Sequence, residues 1–457
     1  MFIGREEELK RIRKRLKLDS LQAVLVYGRR RIGKTELINK AIELEKVRCL
    51  PLLARKVNES MNLDDFSNEA AIFMDNISFH PRDFYEFYAT LIEYSKNNPF
   101  VLFIDEYCFL KDNNNGFDSY LQKAIELHKK DAKITIILCG SYIETMKQIV
   151  ERNSPLYGRF NEEILLHSFN YYDAAKFSPA FLSIEDKFKY YACFGGTAFN
   201  LSNLDYSIPF EENLINEFIK IESFFEKEAV AVIKGEIEKE NNVNTVFELI
   251  ARGVKKYKEL NDFLGDPSKD NVGRYIRKLE GMDLIDKTFA VDAKSERKPL
   301  YFIKDNMLDF YYKFLFKNSR IRASMSPKVF FDKFVKKELY ETYLPHKFEE
   351  IVKEYCILNN GGTVLPFFNS IGRLYYNKDE LNREFDVVLS TDDGLIPIEC
   401  KYSKNLVSQA DVNEEIYQWE GLPYKVFRFG FASKSGFSSE IIHSKELLLI
   451  EFSDLFK

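Results

Sequence analysis

The sequence predicts an α/β protein in which a parallel-sheet core is followed by helical segments and a second, separate α/β domain. Three observations carry that reading. Apolar strand-like runs alternate with amphipathic helices over the first 170 residues, roughly the pattern of a three-layer α/β domain. A glycine-bounded basic loop joins the first such strand to a helix. A new series of strands begins after Pro345. At 457 residues the chain is too long for one core. Its 45% hydrophobic and 30% charged residues describe a globular chain rather than a disordered one. A net charge of −5 gives no global attraction to nucleic acid, so any such surface must be local. The six cysteines (Cys49, Cys108, Cys139, Cys193, Cys356 and Cys400) form no CxxC pair and read as buried thiols in a reducing compartment. Met1 to Glu7 lacks the features of a signal peptide, and no apolar run is long enough to span a membrane. A cytoplasmic protein with no membrane partner is expected.

Leu9, Ile12 and Leu16 mark a first, basic helix. Ala23–Tyr27 is a buried strand. It runs into Gly28-Arg29-Arg30-Arg31-Ile32-Gly33-Lys34-Thr35, which fits the phosphate-binding pattern G-x-x-x-x-G-K-[ST], and Glu36 opens the helix that follows. Glycines let backbone amides wrap an anion, and a helix N-terminus adds partial positive charge. The pattern implies ATP, with Lys34 on the β- and γ-phosphates and Thr35 on Mg²⁺. Val47–Ala54 reads as a second strand and Phe84–Tyr94 as a helix. Phe100–Ile104 is an apolar strand ending in Asp105-Glu106. Those acids suit an Mg²⁺ ligand and a group that polarises attacking water, respectively. Ile134–Gly140 repeats the form and ends in Ser141, placed either to contact the γ-phosphate or as an ordinary turn residue. Arg159 precedes a last strand, Glu163–Leu166. It could put positive charge on a nucleotide of its own chain or a neighbouring copy, or lie in a surface turn. Arg29, Arg30 and Arg31 either add positive field at the phosphates or are solvated.

Residues 171–240 read as a helical subdomain broken at Gly195-Gly196. Residues 241–318 follow with helices at Thr245–Arg252, Tyr257–Leu264 and Asp270–Met282 and a β pair, Leu284–Val291 with Lys298–Ile303. Three helices and a hairpin are the winged-helix form of helix-turn-helix. Lys255, Lys256, Lys258, Arg274, Arg277, Lys278, Arg297 and Lys298 would suit the phosphates of double-stranded DNA. Asp262, Asp266, Asp270 and Glu280 dilute that charge, which leaves a packing role open. Residues 319–344 read as a helical linker.

From 345 to 457 the expected elements are a helix at Lys347–Asn359 and strands at Thr363–Phe368, Glu384–Leu389 and Leu395–Cys400. A helix at Asp411–Trp419 and strands at Tyr424–Phe429 and Glu446–Phe452 complete the domain. An Asp-Asp-Gly turn joins two of the strands, so Asp386 and Glu399 converge, with Lys401 two residues on. Two acids that hold Mg²⁺ or Mn²⁺, with a lysine to place water, form a metal-dependent phosphodiesterase site.

Phe2-Ile3-Gly4-Arg5-Glu6-Glu7-Glu8-Leu9, the Val26–Thr35 stretch, Phe103-Ile104-Asp105-Glu106, Cys139-Gly140-Ser141 and Leu156-Tyr157-Gly158-Arg159 resemble the archaeal-type P-loop ATPases of the AAA+/STAND-like group. The resemblance covers nearly the whole chain. It implies a P-loop NTPase core (1–170), a helical lid (171–240), a winged helix and a C-terminal restriction-endonuclease-like α/β domain, with Gly4-Arg5 near the adenine. The chain departs from the family at Gly195-Gly196-Thr197-Ala198, where a proline usually stands. The Asp386–Glu399–Lys401 spacing resembles the PD-(D/E)XK nucleases. That resemblance implies a further metal ligand at Glu349 or Glu350, with Glu349 favoured, and a positioning role for Gln418. The function implied is ATP hydrolysis whose nucleotide state gates a nuclease-like domain. The alternative is a regulatory switch or scaffold with a catalytically inactive binding module. Copies of the same chain are a further expected partner.

Overall fold

The computed structural model describes residues 2–17, 19–112, 114, 116–237, 242–264, 271–291, 299–378 and 381–457. The chain falls into two compact units, Met1–Phe169 with Gly281–Asp283, and Asn170–Glu280 with Leu284–Lys457.

The first unit is built on five strands, β1 (Gln22–Tyr27), β2 (Cys49–Leu53), β3 (Phe100–Asp105), β4 (Ile134–Gly140) and β5 (Glu162–Leu165). They lie in the order β2-β3-β4-β1-β5, with every pairing parallel. The interior strands are buried and mostly apolar because helices cover both faces. In register, Tyr27 lies opposite Gly140 and Ile104 opposite Leu138. The carboxyl ends of β1, β3 and β4 therefore stand side by side. One face packs against helix Lys34–Glu45 and the basic first helix, Glu6–Leu16, through Ile12, Leu37, Ile38 and Ala41. The other carries an aromatic nest in which Phe84 meets Phe66, Phe87, Tyr88 and Phe117 at ring-centroid separations of 4.7–5.9 Å. Two helices of this face, Glu59–Met74 and Asp118–His128, have no counterpart in the sequence reading. The first mixes polar residues into its inner side, where Asn62 and Ser67 are buried, so its apolar periodicity is weak.

In the second unit, helices Val243–Ala251, Tyr257–Phe263 and Asn271–Gly281 precede an antiparallel pair, β6 (Ile285–Thr288) and β7 (Leu300–Ile303). The expected hairpin loop with Arg297 and Lys298, and the start of the third helix at Asp270, lie outside the described residues. Residues 319–343 form short helical turns that run directly into helix Leu344–Leu358. A second sheet follows, of β8 (Ser370–Lys378), β9 (Leu381–Thr391), β10 (Gly394–Lys401), β11 (Phe429–Ser433) and β12 (Leu447–Glu451), in the order β12-β11-β10-β9-β8. The β8, β9 and β10 pairings are antiparallel, and those of β10, β11 and β12 are parallel.

Two expected strands are corrected. Thr363–Phe368 is irregular: Pro366 cannot donate to a ladder, and the Asn360 side chain takes the Phe368 amide instead. The edge strand begins later, at Ser370. At Tyr424–Phe429 only a bridge from Val426 to Leu395 forms, and the strand itself starts at Phe429. Helix Gln409–Trp419 begins with a capping box at Ser408 and Asp411. Its Trp419 ring lies 4.1 Å from that of Phe385, and its indole N–H donates to the buried Glu415 (3.0 Å).

Truncating Phe84 to alanine removes the centre of the aromatic nest and should cost ~3–5 kcal/mol, read as a lowered denaturant midpoint. Burial, reinforced by Glu399, raises the Glu415 pKa from 4.5 to about 7. The folded state thus binds a proton that the unfolded chain releases, so this group's stabilisation is present below about 4.5 and lost as pH rises through about 7. Glu415→Gln should therefore gain stability relative to wild type between pH 5 and 8, measured by urea unfolding at both.

Candidate functional site

The loop after β1 is shaped by close backbone approach. Gly28 has φ +154°, and a Cβ there would sit 2.2 Å from the Leu166 carbonyl oxygen and 2.6 Å from Ile32 Cδ1. Gly33, at φ +94°, caps helix Lys34–Glu45 and starts it at the loop. Lys34 is buried, and its ammonium donates to the carbonyls of Gly28 (3.0 Å) and Arg29 (2.9 Å) and to Ser141 Oγ (3.1 Å). Ser141 Oγ in turn donates to Glu106 Oε1 (2.7 Å), and the Ser141 amide donates to Glu106 Oε2 (3.2 Å). Glu106 itself is at φ +51°, a conformation rare outside glycine. Thr35 Oγ1 donates to Asp105 Oδ2 (2.7 Å), while the other Asp105 oxygen accepts the Glu106 amide (2.9 Å). Lys34, Thr35, Asp105, Glu106 and Ser141 thus form one continuous cluster at the carboxyl edge of the sheet.

Other expected members are arranged around it. Arg29 is buried, whereas Arg30, Arg31 and Glu36 are exposed and Ile32 packs inward. Arg5, at φ +67°, lays its guanidinium 4.1 Å over the Phe169 ring and donates to the His167 carbonyl. Arg159 does not approach the loop of its own chain. The Asn161 amide donates to the Ala23 carbonyl, which fixes this stretch at the amino edge of β1, and the Arg159 guanidinium pairs with Glu126. The five residue steps from Ala23 to Gly28 span about 16 Å. The own-chain reading of Arg159 is corrected accordingly.

In the second unit, Asp386 and Glu399 lie one step beyond the last ladder pair, Val387 with Ile398. Their side chains are nevertheless not gathered. Asp386 pairs with Arg373 (2.9 Å), which also holds Glu384 (2.7 Å) and Glu349 (3.5 Å). Glu399 pairs instead with Lys401 (2.9 Å). Among the described residues no group of three or more His, Cys, Asp or Glu is disposed to hold a metal ion. Of the expected ligands Glu349, Asp386 and Glu399, the first two are bridged in this arrangement by a guanidinium from β8. Glu350 is held by Lys347 (2.9 Å), which also pairs with Asp309 (2.7 Å). Gln418 is half-buried.

Burial raises Glu349 to about 7, against the opposing pull of Arg373, and raises Asp386 to about 6. Burial also depresses His346 to about 4, and its Nδ1 lies 2.9 Å from Glu349. Its Nε2 faces the Lys255 ammonium at 3.3 Å. Lys255, read from sequence as a DNA contact, therefore turns inward, whereas Lys256, Lys258, Arg274 and Arg277 are exposed. A cavity of about 160 Å³ is lined by Asp286, Phe302, Glu349, Lys353, Arg373 and Asp386, among others. Arg373, His346 and Glu415 were missed in the sequence because no spacing signals them.

Residues 2–204 match a family described as an ATPase domain predominantly from Archaea, and residues 311–414 match one described as archaeal and bacterial proteins of unknown function. Two relatives come from Methanocaldococcus jannaschii. The uncharacterized protein MJECL04 is 29% identical over 386 residues, covering 84% of this chain and 83% of its own. The uncharacterized ATP-binding protein MJ0423 is 40% identical over 48 residues, 10% of this chain and 81% of its own. In fold, the chain is similar to the Walker-type ATPase paby2304 of Pyrococcus abyssi. The TM-score is 0.51 at 17% identity, over 68% of this chain and 96% of that one. No helix among the described residues is long and apolar enough to cross a membrane. With its phosphate-binding loop and strand-end acids in one cluster, the N-terminal part of this chain is an archaeal-type P-loop ATPase domain.

Proposed function

We propose that the domain hydrolyses ATP at the Gly28–Thr35 loop and that its nucleotide state controls the C-terminal domain. The observation that carries the first half is the hydrogen-bonded chain Lys34–Ser141–Glu106, beside the Thr35–Asp105 contact. Thr35 and Asp105 bring two oxygens together at 2.7 Å, and those residues would hold Mg²⁺. When bound, that ion would neutralise charge building on the β- and γ-phosphates. Lys34 exchanges its carbonyl partners for phosphate oxygens, and the loop amides surround the anion. Glu106 aligns water for in-line attack, with Ser141 setting its orientation. Arg5 is proposed to lie near the adenine. Arg159, on the amino edge, serves only a neighbouring copy.

The second half rests on the C-terminal sheet, whose mixed order and paired acids support a nuclease-like reading. The exposed Lys256, Lys258, Arg274 and Arg277 support double-stranded DNA as the partner of the winged helix. A specific observation favours the competing reading, a regulatory module without cleavage: Arg373 takes up Asp386 and Glu349, while Lys401 pairs with Glu399. As arranged here the C-terminal acids do not fit a divalent ion, and no step is assigned to one.

Lys34→Ala should abolish ATP binding, measured by equilibrium titration. Glu106→Gln should retain binding while phosphate release falls ~100-fold or more; unchanged turnover would remove Glu106 from its role. Asp386→Ala or Lys401→Ala should eliminate any Mg²⁺- or Mn²⁺-dependent nicking of plasmid DNA by the full chain and leave ATP turnover intact. Nicking that persists in both variants would locate it elsewhere.

A further inference from the structure

The C-terminal acids present a charge problem that the fold solves in an unusual way. Glu349 and Asp386 line a common cavity, and both side chains are half-buried. Two carboxylates so placed need a compensating cation. The compensating group is Arg373, on edge strand β8, whose guanidinium reaches Glu349, Glu384 and Asp386 at once. Its own pKa is driven upward, despite burial, by Asp386 first among its neighbours, so it stays charged.

The backbone of Arg373 is not held by its own sheet alone. Just after β6, the Val291 amide donates to the Arg373 carbonyl (2.8 Å), and Ala290 forms a parallel bridge with Arg373. The neighbouring Gly372 lets the two backbones meet: a Cβ there would lie 2.7 Å from the Phe289 carbonyl oxygen. The β8–β9 register also shifts between Gly372 and Leu374, re-aiming the chain at this residue. The same module reaches the acids a second time, through Lys255, which contacts His346, itself hydrogen-bonded to Glu349.

We propose that Arg373 is a built-in cation that occupies the place of a divalent ion between Glu349 and Asp386, and that the Phe289–Val291 segment holds it there. While that segment is docked, the acids are closed to Mg²⁺ and Mn²⁺. Its release lets Arg373 withdraw and opens them. The inference rests on the nuclease-like reading only for the identity of the acids; closure itself is a matter of cation binding.

The test is Mn²⁺ binding to the full chain without nucleotide, by calorimetry and by the paramagnetic resonance signal of free Mn²⁺. Wild type should bind Mn²⁺ weakly at this site, and Arg373→Gln should bind at least ~tenfold more tightly, because a competing unit charge is gone. Adding Asp386→Asn to Arg373→Gln should abolish the gain. Val291→Pro, which lacks the amide donor, should move affinity in the same direction as Arg373→Gln. Equal Mn²⁺ affinity in wild type and Arg373→Gln, with both folded by circular dichroism, overturns the proposal. Tight binding by wild type that Asp386→Asn removes also overturns it. Tighter binding by Arg373→Gln without DNA cleavage upholds the built-in cation and counts against the nuclease reading alone.

Discussion

The Lys34 ammonium and its three partners form the contact on which the first unit depends. A buried lysine must have its donors satisfied, and here two loop carbonyls and the Ser141 hydroxyl do so. Those partners come from the end of β1 and the end of β4, and Ser141 extends the chain to Glu106 after β3. The geometry holds only because the three strands run parallel in the order β3-β4-β1 with their carboxyl ends level. The apolar interior of the sheet thus has a chemical consequence, since it fixes the register that aligns one cation and two acids. The left-handed backbone of Glu106 follows from the same demand, because the chain must turn sharply off β3 to place its carboxylate under Ser141.

Much of this was legible in the sequence. Gly28–Thr35 is a local pattern whose meaning depends on the strand before it and the helix after it, and both are strongly periodic. Asp105 and Glu106 stood out as the first charges after a run of apolar residues. Ser141 was visible by the same logic. What failed was long-range. Arg159 is four residues before its strand's first core position in the sequence reading, which does not say which edge of the sheet it occupies; the parallel pairing of β5 with β1 decides that. Helix Glu59–Met74 was hidden because its buried side includes Asn62 and Ser67. Pro366 should have argued against a strand at Thr363–Phe368.

The second unit shows a different kind of limit. Asp386, Glu399 and Lys401 lie on β9 and β10, the two strands expected to carry them. Their partners were not readable, because ion pairing depends on which strand borders β9 and how its side chains are aimed. Arg373 had no motif to mark it. Its contacts come from a shift in strand register, a glycine beside it and a segment more than eighty residues earlier in the chain. Lys255 failed for a related reason: a lysine in a basic run looks solvent-facing until a half-buried histidine is found to meet it.

The amino-edge position of Arg159 has a kinetic meaning. The Arg159 guanidinium, paired with Glu126 near the amino end of the sheet, and the phosphate loop at its carboxyl end do not meet within a single copy. If Arg159 contributes to turnover, the rate per molecule then depends on how many molecules are present. Dilution would silence the protein without unfolding it or emptying its nucleotide site, and local crowding would switch it on.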